Sequence, residues 1–595
     1  MEKFRSLIKG LKLPTRDDVV QAIGSFSKKE RILFIFLFLV LSVSTLVLIN
    51  KVNNQFLEDV PASGGSINEG IIGTPRFINP VLALTDADRD MTALVYSGLM
   101  RKNETGELVP DLAEKFTVSK DGLIYTFTLK DNFFQDNQKV TVDDIIYTIN
   151  KIKHPTIKSP KKLNWEGVTV SKVDNKTVQF ILKQAYASFL DNTTVGILPA
   201  HLWKDIPVDQ FSFIDLNTTG AIGSGPYKIT QIKKDSSGIP VYVELKAFNK
   251  FALGKPYIET LSMKFYANEK DLIDALSSGD IDQVSVIGPE KAEELKAKGY
   301  RVETATLPRI FALFFNQNQS AVFTDKNVVK AFETAINKDE IINKVLHGYG
   351  KTIDSPVPKT LIDYTGLPYL AKDSKSKDDA APVTDNISLS KKILQDDGWK
   401  AGEDGVLVKQ TKTKAGKKVI LRLEFSLATG DASELKDIAD LIKKDLESIG
   451  AKVEVKIFEI GSLNQDVIRP RKYDALLFGQ IVNSGADLFA FWHSSQRNDP
   501  GLNIASYTNT KADKILEATL GNIDKKDRIE KYTEFEDEIK KDMPAIFIYS
   551  PDFIYVVAKN LNGLIINKIT NQSDRFNLVY KWYRETDRVW KIFNR

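Results

Sequence analysis

The chain has no cysteine. Disulfides, thiolate metal sites, cysteine nucleophiles and a cysteine-linked lipid anchor are therefore excluded. Histidine is nearly as scarce. His154, His201, His347 and His493 are the four in 595 residues, and no two are close enough for a zinc-type pair. The short catalytic signatures are missing too: no G-x-S-x-G, no H-E-x-x-H and no phosphate-binding P-loop. Charge of one sign does not dominate. Lys and Arg number 82 against 78 Asp and Glu, interspersed, for a net +4. That argues against a nucleic-acid surface, which needs clustered cations without neutralising acids.

What is present is a folded composition, 42% hydrophobic and 10% aromatic, over a length that accommodates several lobes. Ile32 to Ile49 (ILFIFLFLVLSVSTLVLI) runs without a charge. As a helix it spans about 27 Å, close to the hydrocarbon thickness of roughly 30 Å. A buried core helix rarely lacks a polar face for five turns. No A-x-A-like cleavage site follows, so the reading is an uncleaved anchor over 32–50. Lys28, Lys29 and Arg31 flank it, which places residues 1–31 in the cytoplasm and the bulk outside, in a single pass.

Within 1–31, Phe4, Leu7, Ile8 and Leu11 share a helical face among Lys3, Arg5, Lys9 and Lys12. The stretch suits an anionic inner leaflet or a solvated tail equally. Thr15 with Asp18 reads as a capping box after Pro14. Residues 51–65, ending in VPASGG, read as a polar tether.

The remainder is mixed α/β. In FTVSKDGLIYTFTLK, Asp121-Gly122 separates two alternating runs, with Tyr125, Phe127 and Leu129 on one face, which predicts a β-hairpin. Over 419–458, Leu421, Leu423 and Phe425 alternate, Ile438, Leu441, Ile442, Leu446 and Ile449 follow helical spacing, and Val453, Val455 and Ile457 alternate again. This predicts a parallel β-α-β unit whose helix ends at Gly450, with ligand sites at the strands' carboxyl ends. Residues 327–348 read as paired helices. Residues 371–385 and 409–418 read as solvated loops. No internal repeat is visible.

Six blocks stand in order: NETGELVPDLAEKFTVSKDGLIYTFTLKDNFFQDNQKVTVDDIIYTINKI (103–152), GSGPYKITQI, LIDALSSGDID, RIFALFFNQN, VVKAFETAINKDEII and KYTEFEDEIKKDMPAIFIY. Together they resemble the extracytoplasmic solute-binding proteins of the peptide/nickel class of ABC importers (family 5), from about residue 66 to 595. The resemblance implies a two-lobed periplasmic-binding-protein-like α/β fold (type II, the class with an extra subdomain). Lobe I would take 66–310, lobe II 311–550, and 551–595 would return to lobe I. It implies capture of a peptide or peptide-like small ligand by lobe closure, with no chemistry and no cofactor. Permease and ATPase subunits would supply transport. Two further readings stay open: a tethered receptor or structural protein that keeps the fold without transport, and a metal-chelate binder. An enzyme is more remote.

In peptide-binding members, the segment after a Tyr-Asp-Ala-like strand supplies an aromatic platform and an aspartate for the ligand's α-ammonium. Counting forward from Tyr473-Asp474-Ala475, these fall on Gln480 and Asn483. Counting back from Asp487 and Phe489, they fall on Gly479 and Val482. Neither register holds the aspartate. A buried ammonium without its counter-charge costs about 3–5 kcal/mol, which one Asn hydrogen bond of about 0.5–1.5 kcal/mol does not replace. Gln480 and Asn483 are therefore expected as neutral polar contacts. Asp487 is either a ligand contact or a structural residue. Trp492 is either core or an aromatic floor. His493 is either a lone chelate ligand or an ordinary surface histidine. By the same resemblance Gly73-Thr74-Pro75-Arg76 borders the cleft, with Arg76 a candidate for a ligand carboxylate and Tyr96 nearby. No metal site is expected.

Overall fold

The structure, a computed structural model, describes residues 15–186, 188–362, 384–412, 418–522, 524–567, 569–590 and 592. These form two compact units. One comprises the residues up to Ala62 with those from Glu585 onward; the other is Ser63–Arg584. The basic stretch before Pro14 lies outside the described residues, as do the Asp18 side chain and nearly all of 371–385.

In the first unit, helix Arg16–Gly24 precedes helix Lys28–Phe56. Ser27 caps the latter. Its backbone N–H donates to Glu30 Oε2 at 2.8 Å, and Glu30 N–H donates to Ser27 Oγ at 3.4 Å. The helix is 29 residues long, with an 18-residue window of mean hydropathy 3.1, none of it buried. Among the described residues it is the one helix long and apolar enough to cross a membrane.

The expected tether over 51–65 is corrected. The helix continues through the Lys-Val-Asn-Asn-Gln run to Phe56, and Leu57–Ala62 is a strand pairing antiparallel with Glu585–Trp590. The register runs from Leu57 opposite Trp590 to Ala62 opposite Glu585. The extended backbone thus finds hydrogen-bond partners that a free tether would take from water. Accordingly Glu585–Trp590 does not return to lobe I, as expected for the whole of 551–595, but joins the membrane-length helix's own unit.

The second unit is built on a twelve-stranded sheet. Its longest strand, Ala545–Val557, is flanked by two consecutive strands. Arg309–Phe315 pairs with its first part (Phe314 opposite Ala545) and Arg301–Thr306 with its last (Arg301 opposite Val557). Leu307-Pro308 interrupts that edge. There Leu307 N–H donates to Pro551 O at 3.2 Å, and Ser550 Oγ–H donates to Leu307 O at 2.8 Å. Two antiparallel segments therefore pass together from one half of the body to the other.

Side-chain alternation explains why this bridge is buried. In Arg309–Phe315, Leu313 and Phe315 join one core, while Ile310, Ala312 and Phe314 join another on the opposite face. Buried on both faces, the run RIFALFF carries no polar alternation. The first half has its own core, from Ile67 to Leu307 and again from Phe553 to Trp582. The predicted hairpin forms within it. Ala113–Val118 pairs with Ile124–Leu129, Gly122 sits at φ +67°, and Tyr125, Phe127 and Leu129 are buried. Two more strands, Thr177–Leu182 and Val168–Lys172, extend it to a four-stranded antiparallel sheet.

The segment Gln572–Lys581 is pinned to the first half by a fully buried arginine. Arg575 donates to Asp90 Oδ1 and Oδ2 (2.9 and 2.7 Å) and to Glu69 Oε1 (3.0 and 2.8 Å). Tyr555 donates its hydroxyl to Glu69 at 2.6 Å. Two carboxylates share one guanidinium, and burial, with Glu69 beside it, outweighs Arg575 to push the Asp90 pKa up to about 6.

The β-α-β unit forms, with a difference. Glu424–Gly430 and Lys452–Phe458 are parallel, connected by helix Ser433–Ser448, which buries Ile438, Ala439, Ile442 and Leu446. Gly450 follows the helix at φ +96°, where a Cβ would meet Leu407 Cγ at 2.7 Å. Leu421, however, belongs to a separate strand, Lys418–Arg422, paired with Leu407–Lys412. That pairing also corrects the loop expected over 409–418; residues 413–417 lie outside the described residues. Leu423 between the strands is fully buried, so the break turns the chain from one sheet to the other at a residue neither exposes.

Candidate ligand-binding site

Strand Ala475–Ile481 runs parallel to Glu424–Gly430 and antiparallel to Arg309–Phe315. Beyond its carboxyl end the chain passes through Val482-Asn483-Ser484 into helix Gly485–Trp492. Val482 N–H donates to Pro308 O at 2.8 Å, which ties this turn to the bridge between the halves. Ser484 is the helix N-cap, and Asp487 closes a capping box. The backbone N–H groups of Asn483 and Ser484 each donate to Asp487 Oδ2 at 2.9 Å, and Ser484 Oγ–H donates to it at 3.0 Å. At Gly485 a Cβ would lie 2.6 Å from the Tyr532 hydroxyl, so only glycine lets the turn approach helix Lys525–Asp542.

This turn forms part of the wall of a cavity of about 1140 Å³. The second half contributes Asn483 to Asp487, with Arg528 and Tyr532 of helix Lys525–Asp542. The first half contributes Arg89 and Tyr96 with the helix Asp86–Val95, then Arg101, Lys102, Lys161 and residues around Asp574. The space thus lies between the two halves that the paired strands connect, at the carboxyl end of a parallel strand, where open α/β sheets place ligands.

The charges on the wall differ in what they already hold. Asp574 accepts from Thr570 N–H at 2.7 Å and Oγ1–H at 2.6 Å, with Lys102 at 3.8 Å. Lys102 also donates to Thr570 Oγ1 at 2.9 Å. Arg89 pairs with Asp86 at 3.1 Å, and Arg528 donates to Asn522 O at 2.8 Å. Arg101 lies over the Tyr580 ring at 5.0 Å. Asp111 is buried with one oxygen unpartnered, and burial raises its pKa against the pull of Arg101 and Lys130. Lys161 is different. Among the described residues no carboxylate lies within ion-pair distance of its ammonium. Enclosure, and then the Arg89 guanidinium, bring its pKa down to about 8 against the pull of Asp88. Asp88 is itself occupied, accepting four backbone N–H groups from Arg76, Phe77, Leu84 and Thr85.

Of the residues singled out from the sequence, Tyr96, Asn483 and Asp487 line the cavity. Tyr96 is buried, donates its hydroxyl to Ile78 O at 3.2 Å, and has its pKa raised well above the usual range by burial. Arg76, Gln480 and Trp492 are not among the lining residues. Arg76 is exposed with its guanidinium over Phe77. Gln480 is buried in the strand opposite Ile310. Trp492 sits in the core against Phe314, Tyr507, Phe535 and Phe547, because the i,i+4 pair Leu488 and Trp492 forms the helix's inward face. His493 stacks on Phe489 and contacts Ser495 and Glu517, outside the cavity wall. Among the described residues no group of three or more His, Asp or Glu is placed to hold a metal. Lys161, Arg528 and Tyr532 were not foreseen. The one local signal for Lys161 was a Lys-Lys pair after Pro160.

Residues 107–501 match the model of the bacterial extracellular solute-binding proteins, family 5 (middle region). The chain is 27% identical over 531 residues to the oligopeptide-binding protein AppA of Bacillus subtilis, covering 88% of this chain and 92% of that one. The structure of AppA from Bacillus subtilis in complex with a nonapeptide superimposes with a TM-score of 0.62 at 26% identity, over 88% of this chain and 99% of that one. NikZ from Campylobacter jejuni in complex with Ni(L-His) superimposes with a TM-score of 0.64 at 26% identity, over 87% and 99%.

Proposed function

This chain belongs to the bacterial extracellular solute-binding proteins of family 5, and from that premise we propose that it is the membrane-anchored solute-binding component of an ABC importer for peptide-like ligands. The observation that carries the reading is the cavity between two halves that share one long strand and its paired neighbour. Two adjacent crossing segments permit hinge closure, which would enclose a ligand against both walls. Lobe I is taken as 66–310 and lobe II as 311–550, a division supported by the separate cores on either side of Leu307-Pro308. Helix Lys28–Phe56 is the anchor, with Lys28, Lys29 and Arg31 on the cytoplasmic side and the cleft outside. Separate permease and ATPase subunits would complete the importer.

Within the cleft, Asp487 is occupied as a helix cap, so the turn that would receive an α-ammonium offers a neutral Asn483 instead. Lys161 on the same cavity wall, with no carboxylate within ion-pair distance among the described residues, favours ligands presenting a carboxylate. The test is native mass spectrometry of the full chain for co-purified ligand, followed by thermal shift with a peptide library graded by length and charge. A ligand at a hundred times its Kd stabilises the folded state by about 2.7 kcal/mol. Absence of both co-purified ligand and any shift would overturn the binding reading. Resistance of the full chain to carbonate extraction from membranes tests the anchor.

A further inference from the structure

Large apolar side chains gather where the membrane-length helix ends. Phe56, the last helical residue, is 51% exposed, Val52 is 46% exposed, and Trp590 is 45% exposed. Trp590 is held there by the strand pairing. It stands opposite Leu57, and its ring lies 6.3 Å from that of Phe56. Ile592, two residues on, is 66% exposed. The other five tryptophans, Trp165, Trp203, Trp399, Trp492 and Trp582, are each at most 1% exposed. An indole left in water is thus singular in this protein. The first four residues of its strand are polar, Glu-Thr-Asp-Arg, and Arg588 pairs with Asp59 opposite. Only the end beside the helix is apolar.

Length identifies what covers it. The helix has 29 residues, about 43 Å at 1.5 Å per residue, which matches the roughly 40–45 Å of a bilayer with both headgroup layers. If Lys28 sits at one boundary, Phe56 sits at the other. The register then brings Trp590 to the same depth. Tryptophan is enriched at that depth because its ring is apolar while its N–H still needs a polar partner. We propose that Trp590, together with Phe56 and Ile592, is seated in the lipid headgroup layer on the Phe56 side of the membrane. The strand Glu585–Trp590 then makes a second membrane contact beside the helix. Ala62 pairs with Glu585, so the chain enters and leaves residues 63–584 from adjacent positions on one ribbon.

The inference rests on the anchor reading, and the experiment separates the two. The full chain is placed in phosphatidylcholine nanodiscs with and without lipid brominated near the glycerol end of its acyl chains. Because Trp590 is the accessible tryptophan, shallow bromolipid is expected to quench part of the emission, and aqueous iodide to quench little. The exposed substitution Trp590→Phe, with an unchanged melting temperature, is expected to abolish the bromolipid loss. Membrane retention under carbonate with no bromolipid quenching, or with free quenching by iodide, would overturn this inference alone. Loss of retention would overturn the anchor and the inference together.

Discussion

Asp487 and Ser484 hold each other at the start of one helix: the Ser484 backbone N–H and hydroxyl both donate to Asp487 Oδ2, at 2.9 and 3.0 Å. The carboxylate nearest the expected ammonium position is therefore a helix cap that also borders the cavity. Replacement Asp487→Asn is expected to cost about 1 kcal/mol of stability, read as a lower melting temperature. Affinity for peptides with a free amino terminus should change less than tenfold. A hundredfold loss of that affinity would make Asp487 the ammonium partner after all.

Lys161 sets a pH dependence of binding. Its ammonium is present below about pH 8, and a bound carboxylate raises that pKa. Affinity for carboxylate-bearing ligands should therefore be full below pH 8 and fall as the pH rises above it. Lys161→Met should weaken such ligands about tenfold to a hundredfold, from about 1.5–3 kcal/mol, and flatten the profile. Lys161→Arg should keep affinity and move the falling limb beyond reach, since guanidinium does not titrate there. Calorimetric titration between pH 7 and pH 9, as an order-of-magnitude window around that pKa, checks all three.

The buried acid Asp90 links stability to pH in the opposite range. Its pKa is raised from 3.8 unfolded to about 6 folded, so the native state binds the extra proton. Its contribution is present below the lower value and is lost as the pH rises through the higher one. Denaturant unfolding should show stability declining across that window, and Asp90→Asn should remove the decline. Arg575→Met, which strands two buried carboxylates, should cost about 3–5 kcal/mol at neutral pH.

Trp492 tests the division between core and cleft. Trp492→Ala removes a ring packed on four aromatic neighbours and should cost about 3–5 kcal/mol. A protein that remains folded at reduced temperature should still show the ligand-induced thermal shift. Loss of that shift in folded protein would return Trp492 to the binding site.

Several features were legible because they are local. Asp121-Gly122 between alternating runs marks the hairpin, since a two-sided period and a turn residue suffice. The helix before Gly450 and the parallel strands around it follow from spacing alone. The break at Leu423 was not legible. Leu421, Leu423 and Phe425 alternate without interruption, and only the competing partners, Leu407–Lys412 for one strand and Lys452–Phe458 for the other, divide them.

The chain itself determined its membrane-length helix, its mixed α/β elements and the absence of thiol chemistry, all consequences of composition and short-range period. Tertiary structure alone decided that Leu57–Ala62 pairs with Glu585–Trp590, that Trp492 faces a core, and that Lys161 lines the same cavity as Asn483 with no carboxylate within ion-pair distance among the described residues. Those outcomes depend on contacts between residues far apart in the chain, from tens to hundreds of positions. No local pattern encodes them, because strand partners and burial are chosen by the competition among all surfaces of the folded chain.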